Sequence, residues 1–104
     1  MDRRYDCQLT VALPVALEEE FIDLLRGLPT LVGGFSIVPA EGFGRGAQLV
    51  STMEQVRGRS RRLLVQVLMQ QEQVEPLLAA LRDRIRSADV AWWTLPVSGF
   101  GRFA

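Results

Sequence analysis

The 104-residue sequence contains no histidine, no lysine and no asparagine, and it has a single cysteine. Without histidine, it can form neither a Ser-His-Asp or Cys-His catalytic arrangement nor a histidine-ligated metal site. Without lysine, it has neither the residue for Schiff-base chemistry nor the lysine of a P-loop. A single cysteine cannot form an intramolecular disulfide and fits a reducing compartment, so we expect a cytoplasmic protein.

The charge balance and the hydropathy exclude further classes. The sequence has 12 acidic and 12 basic residues, and all of the basic residues are arginine. Proteins that bind nucleic acid usually carry a positive excess, so we expect no nucleic-acid partner. The apolar runs are well short of the about 20 residues that span a membrane, and the charged N-terminus lacks the apolar segment of a signal peptide. We therefore expect one domain, residues 1–104, with no membrane insertion.

The periodicity of the apolar residues predicts the element order βαββαβ. Alternation predicts strands at 5–13, 61–70 and 90–96, and a shorter strand that begins at Phe35 and ends near Pro39. Two apolar stripes at helical spacing lie between the strands, at Leu17, Phe21, Leu24, Leu25 and Leu28 and at Val74, Leu77, Leu78, Leu81 and Ile85. This order predicts an α+β, ferredoxin-like fold, with an antiparallel four-stranded sheet and both helices on one face.

The face of the sheet that the helices leave open indicates an oligomer. It would carry Leu64 and Leu68, together with one residue of the adjacent pair Trp92 and Trp93. Neighbouring residues of a strand point to opposite faces, so only one of these tryptophans can face the helices. A sheet face that holds leucine and tryptophan is not expected to stay in water, and we expect it to pack against sister subunits.

Residues 40–59 are rich in glycine and arginine and show no sustained period. A loop of that length is often functional. Its segment 42–46, Gly-Phe-Gly-Arg-Gly, is either a flexible loop or an anion cradle. The flexible loop is favoured, because a dinucleotide fingerprint needs a helix directly after the glycines and here they begin a long loop.

The sharpest charge cluster consists of four arginines at the end of this loop, Arg57, Arg59, Arg61 and Arg62. Arginine is suited to bidentate capture of phosphate or carboxylate. The cluster is also explained by a solvated strand entry, or by a salt bridge to Glu41 or Glu54 of a neighbouring subunit. Both interpretations stay open at the level of the sequence, and the second is favoured.

Other candidate sites have a structural explanation. Cys7, Met53 and Met69 offer the soft ligands that Cu(I) prefers, but Cys7 and Met69 fall in the apolar register of their strands, which favours core packing. The consecutive glutamates 18–20 fan around a helix axis and do not converge, which suits a solvated face that complements the helix dipole. The sequence therefore predicts no catalytic site, no metal site and no resident cofactor.

The segment 51–62, Ser-Thr-Met-Glu-Gln-Val-Arg-Gly-Arg-Ser-Arg-Arg, resembles a stretch typical of one branch of the PII-like (GlnB-like) superfamily. The agreement extends to Gly34-Phe35, to residues 77–82 and to residues 93–97, so it covers nearly the whole chain. That branch is a small uncharacterised family, sometimes called PII-NG, which is encoded beside heavy-metal efflux pumps of the resistance-nodulation-division type.

The resemblance implies a PII-like homotrimer with three sheets packed around its axis, and a loop at about 39–60 that corresponds to the T-loop. In PII proteins the T-loop contacts target proteins. The resemblance thus implies a non-enzymatic regulatory protein whose partner is a membrane transporter. The candidate contact residues in the loop are Glu41, Phe43, Arg45, Glu54 and Arg57.

Effectors of PII proteins bind in clefts between subunits near the base of the T-loop. By position, the cleft candidates in this chain are Ser36, Ile37, Arg59, Arg61 and Arg102, together with the link at 87–89. Nucleotide-binding PII proteins use a link that bears glycine and lysine, and this link has neither, which argues against ATP binding in the usual manner. The alternative function is a sensor of a small anion or a nucleotide in these clefts. A small ferredoxin-like enzyme is less favoured, because histidine and asparagine are missing.

Overall fold

A computed structural model describes residues 5–43 and 59–104 of the chain, except for the side chains of residues 59 and 60. Within these ranges the chain forms four strands and two helices in the predicted order βαββαβ. In chain order, they are β1 (Cys7–Pro14), α1 (Glu18–Arg26), β2 (Ser36–Phe43), β3 (Arg59–Met69), α2 (Val74–Arg84) and β4 (Ala91–Pro96).

The strands form one antiparallel sheet in the order β2-β3-β1-β4. Val11 at its centre lies opposite Val65 of β3 and Trp92 of β4. Alternate residues of β1 and β3 are buried together with apolar residues of both helices, so both helices cover the same face. The largest fully buried side chains are Phe21, Leu9, Leu13, Leu25, Leu77, Val65, Val67 and Cys7. This is the ferredoxin-like α+β fold that the sequence predicts.

Both helices begin and end where their sequences favour it. The first turn of α1 holds three glutamates and its last turn holds Arg26, so the charges complement the helix dipole. Gly27 follows, and its N–H donates to two carbonyl oxygens of the last turn at 3.1 Å. In α2, Pro76 lies in the first turn, where its missing N–H costs no helical hydrogen bond. Neither helix of the described ranges is long and apolar enough to span a membrane.

The structure corrects the predicted bounds of the central hairpin. The sequence predicts that the second strand ends near Pro39, but β2 continues to Phe43, which pairs with Arg59 at the start of β3. Among the described strands β2 has a neighbour on one side only, and a proline is tolerated on such an edge. Glu41 and Phe43, predicted as loop residues, therefore lie on a strand. Three other predicted loop contacts lie outside the described residues, namely Arg45, Glu54 and Arg57.

Asp6 holds one end of the sheet together, and we call this end the Asp6 end. Its Oδ1 accepts a hydrogen bond from the N–H of Gln71 at 2.8 Å. Its backbone N–H donates to the carbonyl oxygen of Met69 at 3.2 Å, and its carbonyl oxygen accepts from the N–H of Val97 at 3.0 Å. The opposite end, where β1 finishes at Pro14, is the hairpin end, because β2 and β3 continue beyond it.

Candidate functional site

The face of the sheet opposite the helices, here called the open face, carries a group of apolar side chains. They are Val38, Leu64, Leu68, Trp93 and Leu95. Trp93 and Leu95 are 42% and 54% exposed, although both are large and apolar. Thr10, between Gln66 and Trp93 in the register, is buried, so its two neighbours shield the centre of this face from water. An exposed apolar face of this kind marks an interaction surface.

The two adjacent tryptophans lie on different faces. Trp93 pairs with Thr10 and shares the open face, whereas Trp92 pairs with the core residue Val11 and lies on the helix side. Of the predicted interface residues, Leu64, Leu68 and Trp93 thus lie together. Trp92 does not belong to that group, because the sheet alternates with a period of two.

Leu95 and Val38 of the open face are not among the residues that the sequence singles out. Leu95 could have been found from its even spacing from Trp93 on the same strand. The alternation of the predicted strand places Val38 on the face opposite Ile37, but the sequence gave no register that would set Val38 beside Leu64 of β3. The pairing of Val38 with Leu64 is a property of the folded hairpin.

The hairpin end brings the loop base and the link between α2 and β4 together. Arg62 shares the open-face register, and its Nη1 donates to the carbonyl oxygen of Asp89 at 2.6 Å. Within the link, the N–H of Asp89 donates to Ser87 Oγ at 3.1 Å, and the N–H of Val90 donates to the carbonyl oxygen of Ser87 at 3.2 Å. The cleft candidates from sequence omit Arg62, although it belongs to the arginine cluster.

The hairpin extends beyond the rest of the sheet. Arg62 is the last residue of β3 that pairs with β1, and the β2–β3 ladder continues for three more pairs, about 10 Å at the usual rise of a strand. In the first of these pairs Glu41 lies directly opposite Arg61 on the helix side, so opposite charges share one face in the same chain. The last pair places Phe43 on the hairpin with 68% of its surface exposed.

The structure does not bring the predicted cleft residues together within one chain. Ser36 faces the open side of β2, and Ile37 packs against the core on the other side. Arg61 lies at the hairpin end, whereas Arg102 follows β4 at the Asp6 end. The guanidinium of Arg102 lies 5.6 Å from the centre of the Phe100 ring. The side chain of the remaining candidate, Arg59, lies outside the described residues.

The C-terminal segment is held against the N-terminal one by aromatic contact. The rings of Tyr5 and Phe100 meet edge to face, with centroids 4.6 Å apart and planes at 85°. This geometry is the favourable arrangement for an aromatic pair. It fixes Arg102 beside the Asp6 end, while Phe103 is fully exposed.

Cys7 is a core residue of β1. Burial raises the pKa of its thiol, and the charge of Asp6 raises it further, so the thiol stays protonated at neutral pH. A protonated, fully buried thiol is a poor nucleophile and a poor metal ligand. Among residues 5–43 and 59–104, no group of three or more cysteine, aspartate or glutamate side chains could hold a metal ion.

The profile of a family described as "Protein of unknown function (DUF3240)" matches residues 4–104, nearly the entire sequence. The chain belongs to the DUF3240 family. No curated protein sequence matches it.

Three solved structures illustrate the shared fold. A DUF3240 family protein from Shewanella baltica OS155 has 19% identity and a TM-score of 0.76, with 100% of both chains covered. CPII from Thiomonas intermedia K12, a nitrogen regulatory PII-like protein bound to ADP, AMP and bicarbonate, has 21% identity and a TM-score of 0.68, with 93% of each chain covered. CutA from Synechococcus elongatus PCC7942 has 16% identity and a TM-score of 0.67, with 93% of this chain and 80% of that chain covered.

These likenesses establish the fold. The four-stranded antiparallel sheet with two helices is that of the PII-like and CutA proteins. The predicted relation to the PII-like superfamily is thus supported at the level of architecture. At these identities, ligands and partners do not transfer with the fold.

Proposed function

We propose that this DUF3240 protein is a cytoplasmic, non-enzymatic PII-like regulator that acts on a membrane transporter, a heavy-metal efflux pump, through the segment at 39–60. The observation that carries the proposal is the β2–β3 hairpin, which extends beyond the sheet and presents the exposed Phe43. A large apolar side chain on a projecting hairpin suits contact with a partner protein. The fold that the chain shares with the regulatory protein CPII supports the same class.

The proposal includes a homotrimer that buries the open face. Trp93 and Leu95 expose about half of their surfaces in the single chain, and burying that remaining half contributes about 1 kcal/mol of hydrophobic free energy each. Because Arg61 and Arg102 lie at opposite ends of one sheet, the predicted cleft could combine them only between two chains. The interface set is then Leu64, Leu68 and Trp93, with Leu95 added.

Capture of the cognate efflux pump tests the role of the hairpin. The immobilised protein should retain the detergent-solubilised pump, and Phe43→Ser or deletion of residues 42–56 should abolish retention. Phe103→Ser is the matched control, because Phe103 is also an exposed phenylalanine but follows β4 at the Asp6 end. Equal capture by the wild type and the Phe43→Ser variant would exclude the hairpin as the contact.

A second candidate function is a sensor of a small anion in the intersubunit clefts. The observation that favours it is the hairpin end, where Arg62 donates to the link that holds Ser87 and Asp89, and where Arg61 precedes Arg62 on β3. The structure of CPII, which shares the fold, is bound to ADP, AMP and bicarbonate. Because this chain lacks lysine and its link lacks glycine, the smaller anion is the better fit.

Calorimetry distinguishes the two candidates. Bicarbonate should give a saturable heat that Arg61→Gln removes, and ADP should give a weaker heat or none. Absence of heat from both ligands at millimolar concentration would reject the sensor and leave the pump-capture experiment unaffected.

A further inference from the structure

The helix layer covers β1 and β3 but leaves β4 partly uncovered. On the helix side, Val11 is 3% exposed, whereas Trp92 beside it in the register is 46% exposed. The chain leaves the helical conformation at Ile85, before it reaches β4. The result is a cavity of about 320 Å³ where α1, α2 and β4 meet, here called the β4 pocket.

The β4 pocket has an apolar interior and a polar margin. Core side chains line it, among them Val11, Phe21 and Leu78, and Trp92 lies at its exposed side. The only polar side chains among its described lining residues are two arginines and Ser87. A mostly apolar cavity of this size with a few polar groups is typical of a small-molecule site, at the lower end of the range.

The charged side chains among the described lining residues of the β4 pocket are all positive. None of the described lining residues is acidic, and the two arginines are Arg82 and Arg86. Arg82 forms an ion pair with Glu75 at 2.5 Å, which offsets its charge. Arg86 forms no ion pair with any residue in the described ranges, so its guanidinium is the group available to a ligand. A guanidinium beside an apolar cavity favours an apolar ligand with one anionic group.

We propose that the β4 pocket binds a small amphiphilic monoanion, with its apolar chain or ring against Trp92 and Phe21 and its carboxylate or sulfonate on Arg86. The pocket is formed by one chain and lies on the helix side of the sheet. It is therefore separate from the open face and from the hairpin, although Ser87 at its margin also belongs to the link of the anion-sensor candidate. The inference does not depend on the proposed regulation of a transporter.

Fluorescence of Trp92 tests occupancy of the pocket, with decanoate as the probe. The chain has two tryptophans, so Trp93→Phe leaves Trp92 as the only one. Decanoate should shift the emission of this variant to shorter wavelength in a saturable manner, because the ligand replaces water beside Trp92. Trp92→Phe, which keeps only Trp93 on the open face, is the matched control and should give no saturable shift.

Removal of the charge tests the role assigned to Arg86. Arg86→Gln should weaken decanoate binding about tenfold, the effect expected when one charge-assisted hydrogen bond is lost. Arg26→Gln, an exposed arginine on α1 outside the pocket, should bind like the wild type. The neutral decan-1-ol should bind the wild type and Arg86→Gln equally.

Three results would overturn the proposal. They are a flat titration of Trp93→Phe at millimolar decanoate, a response confined to Trp92→Phe, and equal decanoate affinity of the wild type and Arg86→Gln. Arg86 is exposed, so its substitution leaves the core intact and the affinity comparison remains interpretable.

Discussion

The side chain of Arg62 reaches the backbone of Asp89, where its Nη1 donates to the carbonyl oxygen at 2.6 Å across 27 positions of sequence. The bond joins β3 to the link before β4 and passes the end of β1, which lies between these two strands. It therefore fixes the link relative to the base of the hairpin. Both predicted functional segments, the loop base and the link, meet at this bond.

Arg62→Gln should loosen the link and lower the free energy of unfolding by about 1–2 kcal/mol, since a part-buried hydrogen bond from a charged group is lost. Urea unfolding measures the change. Arg84→Gln, at the exposed end of α2, is the control and should stay within about 0.5 kcal/mol of the wild type. An unchanged midpoint for Arg62→Gln would show that the bond does not stabilise the chain.

If the chain forms the proposed trimer, Trp93→Glu should convert it to a smaller species in analytical ultracentrifugation. A carboxylate in a buried apolar interface carries a large desolvation cost. Trp92→Glu is a matched control, because Trp92 has similar exposure but lies on the opposite face. Retention of the wild-type assembly by Trp93→Glu would exclude the open face as the interface.

Mixed oligomers test whether one anion site uses two chains. Arg61→Gln and Arg102→Gln should each lose bicarbonate binding when assembled alone. Mixing the two variants and reassembling them should restore part of the binding, because Arg61 and Arg102 lie at opposite ends of one sheet and an intact pair can form only between chains. Mixing Arg61→Gln with the double variant should restore none. If mixing Arg61→Gln with Arg102→Gln restores no bicarbonate binding, the site is not shared between two chains.

The buried thiol of Cys7 should make the protein less stable at alkaline pH. Burial, assisted by Asp6, raises the thiol pKa in the folded chain above its ordinary value of 9.0. The protonated thiol contributes fully to the free energy of unfolding below that value. The contribution is lost as the pH rises toward the folded pKa, because the unfolded chain releases the proton first. The stability difference between the wild type and Cys7→Ala should therefore shrink from about pH 8 to about pH 10. Chemical unfolding across this range measures it, and a constant difference would contradict the prediction.

The sequence predicts most of the fold because the apolar periods are strong. The stripe that includes Phe21 and Leu25, and the alternation from Cys7 to Leu13, identify the buried faces of α1 and β1 without tertiary information. The same alternation separates Trp92 from Trp93. Local chemistry also places Pro76 in a first helical turn.

The length of the hairpin could not be read from the sequence. Pro39 and the glycines that follow are weak strand formers, and only pairing with β3 holds β2 in an extended conformation as far as Phe43. The arrangement of the candidate site could not be read from the sequence either. Arg61 and Arg102 share a charge and a predicted role, yet the antiparallel order of the sheet places them at opposite ends.

The sequence by itself determined which side chains are missing, which faces of the elements are apolar, and that one tryptophan lies on each side of β4. Each follows from composition or from a local period. Only the tertiary structure decided that Trp93 is the tryptophan on the open face, that Arg62 is bound to Asp89, and that a cavity lies beside Trp92. These depend on register and strand order, which are set by contacts between residues far apart in the chain.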